Sequence, residues 1–206
     1  MNSLQGTFIV LDGPDGCGKS TQVRLLCEWL RNQGVTAVSY RDPGTTAIGE
    51  QIRDILLDPA HIDMGDNVEV LLYMAARAQL WKEKIGPDLT EGRCVVMDRW
   101  LTSTCAYQGW AGGFGIDKVI QIALSSLPRV WPDVVLILDV DPNTAAVRMK
   151  PEPDRMEQKG ASYHAKVREG FLKLAQQHNN MPLIDASKDI QTVHRQVVEK
   201  VQSLLK

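Results

Sequence analysis

The chain is short of the residues that announce a metal site, a secreted fold or a membrane protein. It has four cysteines, Cys17, Cys27, Cys94 and Cys105, and none stands in a C-x-x-C pair. Their spacing fits no zinc site, and their apolar or Gly-rich neighbours suit reduced, packed thiols. The start, "MNSLQGTF", lacks the charged and apolar regions of a signal peptide. No apolar run approaches the roughly 20 residues a membrane helix needs. Charge of one sign is missing too: 23 basic against 25 acidic residues leave a net charge of -2. That excludes a nucleic-acid coat and a basic membrane anchor, but not a local cationic cluster. No repeat or low-complexity tract interrupts the 206 residues, of which 44% are hydrophobic and 23% charged. A single soluble domain over 1–206, working in the cytoplasm, is expected.

What is present alternates. "TFIVLD" (7–12), "VTAVSY" (35–40), "RCVVMD" (93–98), "DVVLILDV" (133–140) and "PLID" (182–185) read as strands. They lack strict polar alternation, as strands buried on both faces do. Helical patterns lie between them, near 19–32, 47–57, 66–85, 101–108, 116–126, 142–149, 160–178 and 189–204. The series predicts an α/β fold with a five-stranded parallel sheet and helices on both faces. The polar, two-proline stretch "KPEPDRMEQKG" (150–160) is expected to be a mobile lid.

Between the first strand and the first helix runs "GPDGCGKST", residues 13–21. Gly13, Gly16 and Gly18 let the backbone N–H groups curl inward, and the following helix adds its positive end. Lys19 supplies a charge for the β and γ phosphates, and Ser20 a hydroxyl for Mg²⁺. Gly13, Pro14, Asp15, Gly16, Cys17, Gly18, Lys19, Ser20 and Thr21 are therefore the candidate ATP-binding loop. No Asn/Thr-Lys-x-Asp motif for reading guanine is found, so a small kinase leads over a switch GTPase.

A kinase needs a second pocket at the carboxyl ends of the strands. Arg41 leaves the end of the second strand, where it either faces the cleft or stays on the surface. Asp98 ends the third as a carboxylate that helps position Mg²⁺, and Arg99 beside it is an awkward cation unless it meets an anion. Tyr73 and Arg77 are four apart on one helix, so they share a face. They suit a flat base, though the spacing also fits a core tyrosine and a surface arginine. His61, His164, His178 and His194 lie away from these motifs.

The motifs "GPDGCGKST", "RDPGTTAIGEQIR", "AARAQ", "DRWLTSTCAYQG" and "PDRMEQ" occur in the order of the thymidylate kinase family. The likeness runs over nearly the whole chain. It implies the P-loop nucleoside monophosphate kinase fold, a short lid near 148–160, and phosphoryl transfer from ATP with Mg²⁺ to dTMP. It implies that Lys19, Arg99, Arg148, Arg155 and Asp15 serve catalysis, and that Ser20 and Asp98 serve the metal. Asp15 would lie near the deoxyribose 3′-hydroxyl and acceptor phosphate, and Arg41, Arg99 and Arg53 at that phosphate. Tyr73 would stack on thymine and Arg77 bond its edge, with Ser103, Thr104, Tyr107 and Gln108 lining the base and sugar pocket. The segment from Asp185 to Lys188 would border adenine, and a homodimer would form through helix packing.

The chain departs from the family pattern in places. Gly16 stands where some members carry arginine, so the catalytic arginine is expected from the lid, which offers Arg148, Lys150 and Arg155. Arg148 and Arg155 should then be loose without nucleotide. Asp42 replaces Glu, Thr45 the second Gly, Trp100 a Tyr or His, and Met156 an aromatic residue of some relatives. A deoxynucleoside kinase and a non-catalytic nucleotide-binding regulator are the alternatives. The first would need a carboxylate base for a hydroxyl acceptor, and "MDRW" stands in its place.

Overall fold

In the computed structural model, which describes residues 4–148 and 152–204, five parallel strands form one sheet in the order β2-β3-β1-β4-β5. The strands are β1 (Phe8–Asp12), β2 (Ala37–Arg41), β3 (Cys94–Asp98), β4 (Val134–Asp139) and β5 (Leu183–Asp185). Four lie within a sequence-predicted run, and β2 extends one residue past the run 35–40, to Arg41. Register aligns Leu11 and Arg41 with Asp98, Asp12 with Ile137, and Asp139 with Asp185. The polar strand ends therefore gather on one edge of an apolar sheet, where open α/β folds bind ligands.

The sheet is sandwiched between two apolar layers. Phe8, Val10, Val95, Met97, Val135 and Ile137 face one, and Ile9, Leu11, Val96, Val134, Leu136 and Leu138 the other. α1 (Lys19–Asn32) buries Val23, Leu26, Cys27 and Leu30, the i, i+3, i+4, i+7 spacing of a helix with one apolar face. α9 (Ile190–Leu204) joins it on that side through Val193, Val197 and Val201. The opposite layer is closed by α3 (Asp66–Leu80), α6 (Ile116–Ser126) and α8 (Ala161–Gln177). α2 (Ala47–Leu57) packs beside α3. α3 runs on through a wide π turn, Trp81–Ile85, into α4 (Gly86–Thr90).

The predicted helix 101–108 differs from the structure. Only Leu101–Thr104 is α-helical (α5), and the chain continues as a π segment, Cys105–Ala111. Close packing accompanies the widening: a Cβ on Gly170 of α8 would lie 3.1 Å from Ala106 Cα and from Trp110 Cβ. π segments frequently occur at functional sites, and this one carries Tyr107 and Gln108.

α7 (Pro142–Arg148) precedes the lid. Lys150, one of the expected lid cations, lies outside the described residues. All four cysteines are buried and free, and burial pushes each thiol pKa up, that of Cys94 to about 11. Among the described residues no helix is long and apolar enough to cross a membrane.

Candidate active site

The loop after β1 and the loop after β3 are knotted together by one buried carboxylate. Asp12 Oδ1 accepts from Gly13 N at 2.9 Å and from Ser103 Oγ at 2.6 Å, and Oδ2 accepts from the Thr102 hydroxyl. These bonds satisfy a charge that has no access to water. They also set the two loops face to face. Arg99 sits in that junction with φ of 71°, a left-handed conformation costly for a side chain other than glycine. Its Nη1 donates to Gly13 O at 2.9 Å and Ser103 Oγ at 2.8 Å, and Nη2 pairs with Asp15 Oδ1.

Asp15 also accepts from the Tyr107 hydroxyl at 2.6 Å. Burial alone would raise its carboxyl pKa, but Arg99 and Lys19 outweigh it and hold the group well below the usual carboxylate range. Desolvation likewise opposes the Arg99 charge, and Asp15 with its neighbours more than restores it. The pair is a fixed, fully ionised unit.

Lys19 is buried, and its Nζ donates to the carbonyls of Gly13 at 3.1 Å and Pro14 at 2.8 Å. Gly13 and Pro14 thus act through their backbone, while 16–22 line a broad cleft of about 2130 Å³, open solvent included. Ser20 Oγ donates to Asp98 Oδ2 at 2.6 Å on the same wall. A hydroxyl and a carboxylate are hard oxygen donors that suit Mg²⁺, which takes most of its remaining ligands from phosphate and water. No cluster of three or more His, Cys, Asp or Glu that could hold a metal by itself occurs among the described residues, so these two are the groups present for it.

A second, smaller cavity of about 510 Å³ opens beside the first. Tyr73, Arg77, Ser103, Thr104, Tyr107 and Gln108 line it, so the two helix-borne residues and the loop residues expected around a base are brought together. Arg77 is buried, not on the surface: Nε lies 2.6 Å from Asp42 Oδ2, and Nη2 donates to Thr104 Oγ1 at 3.0 Å. Burial pushes the Asp42 carboxyl up, and Arg77 pulls it back. Burial and Glu69 raise the Tyr73 phenol, which stays neutral. The two cavities share Asp15, Asp42, Arg53 and Arg99 among their walls. Burial and the nearby Arg41 both lower the Arg53 pKa, as expected of cations collected where an anion is to be received. Arg41 lines the broad cleft and pairs with Glu50 at 2.7 Å. Thr45 holds a φ of 71°, which glycine would adopt without strain.

The lid corrects one expectation. Arg155 is not loose: it is 1% exposed, its Nη1 lies 2.6 Å from Glu69 Oε2, and its Nε donates to Leu56 O at 2.6 Å. Its own N–H bonds Leu57 O at 3.0 Å. A guanidinium in this apolar wall persists because a carboxylate and carbonyls satisfy it, and this anchor seats the lid on α2 and α3. Arg148 is exposed, lines the broad cleft and donates to Ala186 O at 2.9 Å. Met156 is buried and Asp154 joins it in the small cavity's wall. Asp12, Thr102 and Glu69 were not among the sequence candidates. Asp12 had a signal, a carboxylate closing an apolar strand as Asp98 does. Glu69 had only its place four residues before Tyr73.

A profile of the thymidylate kinase family matches residues 11–197. The thymidylate kinase of Thermoanaerobacter sp. (strain X514) is 40% identical over 204 residues, covering 98% of this chain and 100% of that protein. That of Caldanaerobacter subterraneus subsp. tengcongensis is 40% identical over 98% of both. A crystal structure of thymidylate kinase from Ehrlichia chaffeensis superposes with a TM-score of 0.78 at 30% identity, covering 96% of this chain and 99% of that one. A P-loop cleft and a base-sized cavity that share a cationic wall, on a chain matched from end to end, place this protein in the thymidylate kinase family.

Proposed function

We infer that this protein transfers the γ-phosphoryl group of ATP to dTMP, giving ADP and dTDP, a step in dTTP synthesis. The observation that carries the inference is the wall common to the two cavities. Arg99 and Arg53 stand there with Asp15, where an acceptor phosphate in the small cavity would meet a donor phosphate in the broad one. The acceptor oxygen is already anionic, so no base is required. Arg99, held by Asp15 and Ser103, and Arg53 orient that oxygen and offset the repulsion between two anions. Lys19 and the loop amides hold the donor. Ser20 and Asp98 would hold Mg²⁺, which screens the donor phosphates when bound. Arg148, whose side chain reaches across the cleft wall to Ala186, is the lid cation we assign to the transferring group. Arg155 is assigned a positioning role instead, because Glu69 already occupies it.

The protein is further proposed to act as a homodimer in the cytoplasm. Exposed Ile48 and Ile55 of α2, Val68 and Leu71 of α3 and Leu124 of α6 support the first, and four free, buried thiols fit the second.

A coupled ADP-release assay with ATP and Mg²⁺ tests the activity. Turnover on dTMP should exceed that on thymidine by a large factor. Faster turnover on thymidine would overturn the assignment, since a hydroxyl acceptor does not need the cationic wall.

A further inference from the structure

Glu69 lies behind the small cavity, 1% exposed, one turn before Tyr73 on α3. Three groups from two segments converge on its carboxylate. Gln108 Nε2 donates to Oε1 at 2.6 Å, Arg155 Nη1 lies 2.6 Å from Oε2, and Lys159 Nζ lies 3.4 Å from both oxygens. The π segment and the lid are thus joined through one side chain that touches neither phosphate site. Arg155 Nη2 has no partner among the described residues. The contacts of Arg155 hold its segment against α2 and α3, and with Lys159 it sets two cations beside a buried carboxylate.

The charge matters for Gln108. A primary amide offers a donor at one end and an acceptor at the other, and in isolation can turn either way. An ionised carboxylate has no proton to give. Gln108 must therefore direct its NH₂ to Glu69, which leaves the carbonyl oxygen for the cavity that Gln108 lines. We propose that Glu69, paired with Arg155 of the lid, is a positioning residue that locks the polarity of the Gln108 amide and so selects bases with an N–H over bases with a lone pair at that edge. Thymine carries a hydrogen on N3, and cytosine carries a lone pair there. With the carboxylate replaced by a group that can also donate, the amide can turn, and the lone pair is no longer refused. Leaving a buried polar group unpaired is what gives such sites their selectivity. The lid arginine, expected to act on phosphate, then acts on base choice at second hand. This inference rests on dTMP being the acceptor.

The test is kcat/KM for dTMP and for dCMP, measured for the wild type and for Glu69→Gln, Arg155→Gln and Arg155→Lys. Glutamine at 69 can donate or accept, so it keeps the shape and removes the lock. Glu69→Gln and Arg155→Gln should each lower the dTMP/dCMP ratio about ten- to a hundredfold, with the dTMP loss carried mainly by KM. Arg155→Lys keeps a cation beside Glu69 and should retain most of the ratio. A parallel fall for both substrates, with the ratio unchanged in whichever glutamine variant folds, would overturn the proposal. Wild-type turnover on dTMP is read in the same assay, so failure of the proposed function shows in the wild type and failure of the lock shows only in the variants.

Discussion

Arg77 and Asp42 are each about 1% exposed as side chains and 2.6 Å apart. Asp42 Oδ1 has no partner among the described residues, so this carboxylate depends on the guanidinium. Arg77→Ala should therefore do two things. It should weaken dTMP binding while leaving ATP binding nearly intact, and it should destabilise the fold by about 3–5 kcal/mol by stranding a buried charge. The second effect has a pH signature. Burial already raises the Asp42 pKa above the ordinary aspartate value of 3.8. A carboxyl raised in the folded state costs the fold most above its folded pKa, and that cost fades as pH falls through it. The stability deficit of Arg77→Ala should shrink on acidification. Adding Asp42→Asn should recover stability and not dTMP affinity. Denaturant unfolding at several pH values, with calorimetric titration of dTMP, separates the two, and full recovery of binding in the double variant would remove Arg77 from the base site. At this scale the sequence was informative about pairs on one helix face, such as Tyr73 and Arg77. It was silent on partners distant along the chain. Asp42, Asp12 and Glu69 acquire their roles only when loops separated by dozens of residues meet.

The phosphate loop was legible as an element because its chemistry is local. Three glycines, a lysine and a serine need only a strand before them and a helix after, and both are present. Its relation to α7 was not legible. Gly16 has φ of 74°, and a Cβ there would lie 2.5 Å from Ala145 O. The vacant slot where some relatives carry arginine is thus filled by the backbone of the helix that leads into the lid. Gly16→Ala would have to push α7 off the loop and bear a left-handed side-chain conformation, a strain of about 1–2 kcal/mol. It should weaken ATP binding about tenfold or more and leave dTMP binding unchanged. Titrations with a non-hydrolysable ATP analogue and with dTMP, each alone, give the comparison. Unchanged ATP affinity would show that α7 is free to move and that its contact with the loop has no consequence. Arg155 of the lid was misjudged for a related reason. A polar stretch with two prolines reads as mobile, but composition does not reveal that one of its arginines finds a buried carboxylate on α3.

Across the whole molecule, the five parallel strands and the placement of helices on both faces were legible, because buried parallel strands and one-sided helices leave periodic traces, whereas the strand order β2-β3-β1-β4-β5 was not read from the sequence. A partner leaves a weaker trace. α2 and α3 contribute to the wall of the small cavity and α6 packs on α3, and these helices expose Ile48 49%, Ile55 43%, Val68 51%, Leu71 57% and Leu124 61%. Val68 and Leu71 are three apart, and Ile48 and Ile55 seven apart, so each pair shares one face of its helix. We propose that these exposed apolar residues form the interface of a homodimer, in which a two-fold axis would let the same strip cover itself. α3 carries Leu71 outward and Glu69, Tyr73 and Arg77 inward, so a dimer through this face would brace the helix that supports the base pocket. Leu71→Glu, which places a charge in the centre of the strip, should convert dimer to monomer in sedimentation velocity at micromolar concentration. The monomer should keep ATP affinity and lose dTMP affinity, because only the pocket built on α3 is relieved of its support. A dimer that survives Leu71→Glu and Val68→Glu together would exclude this face. A monomer with unaltered dTMP affinity would separate assembly from the pocket.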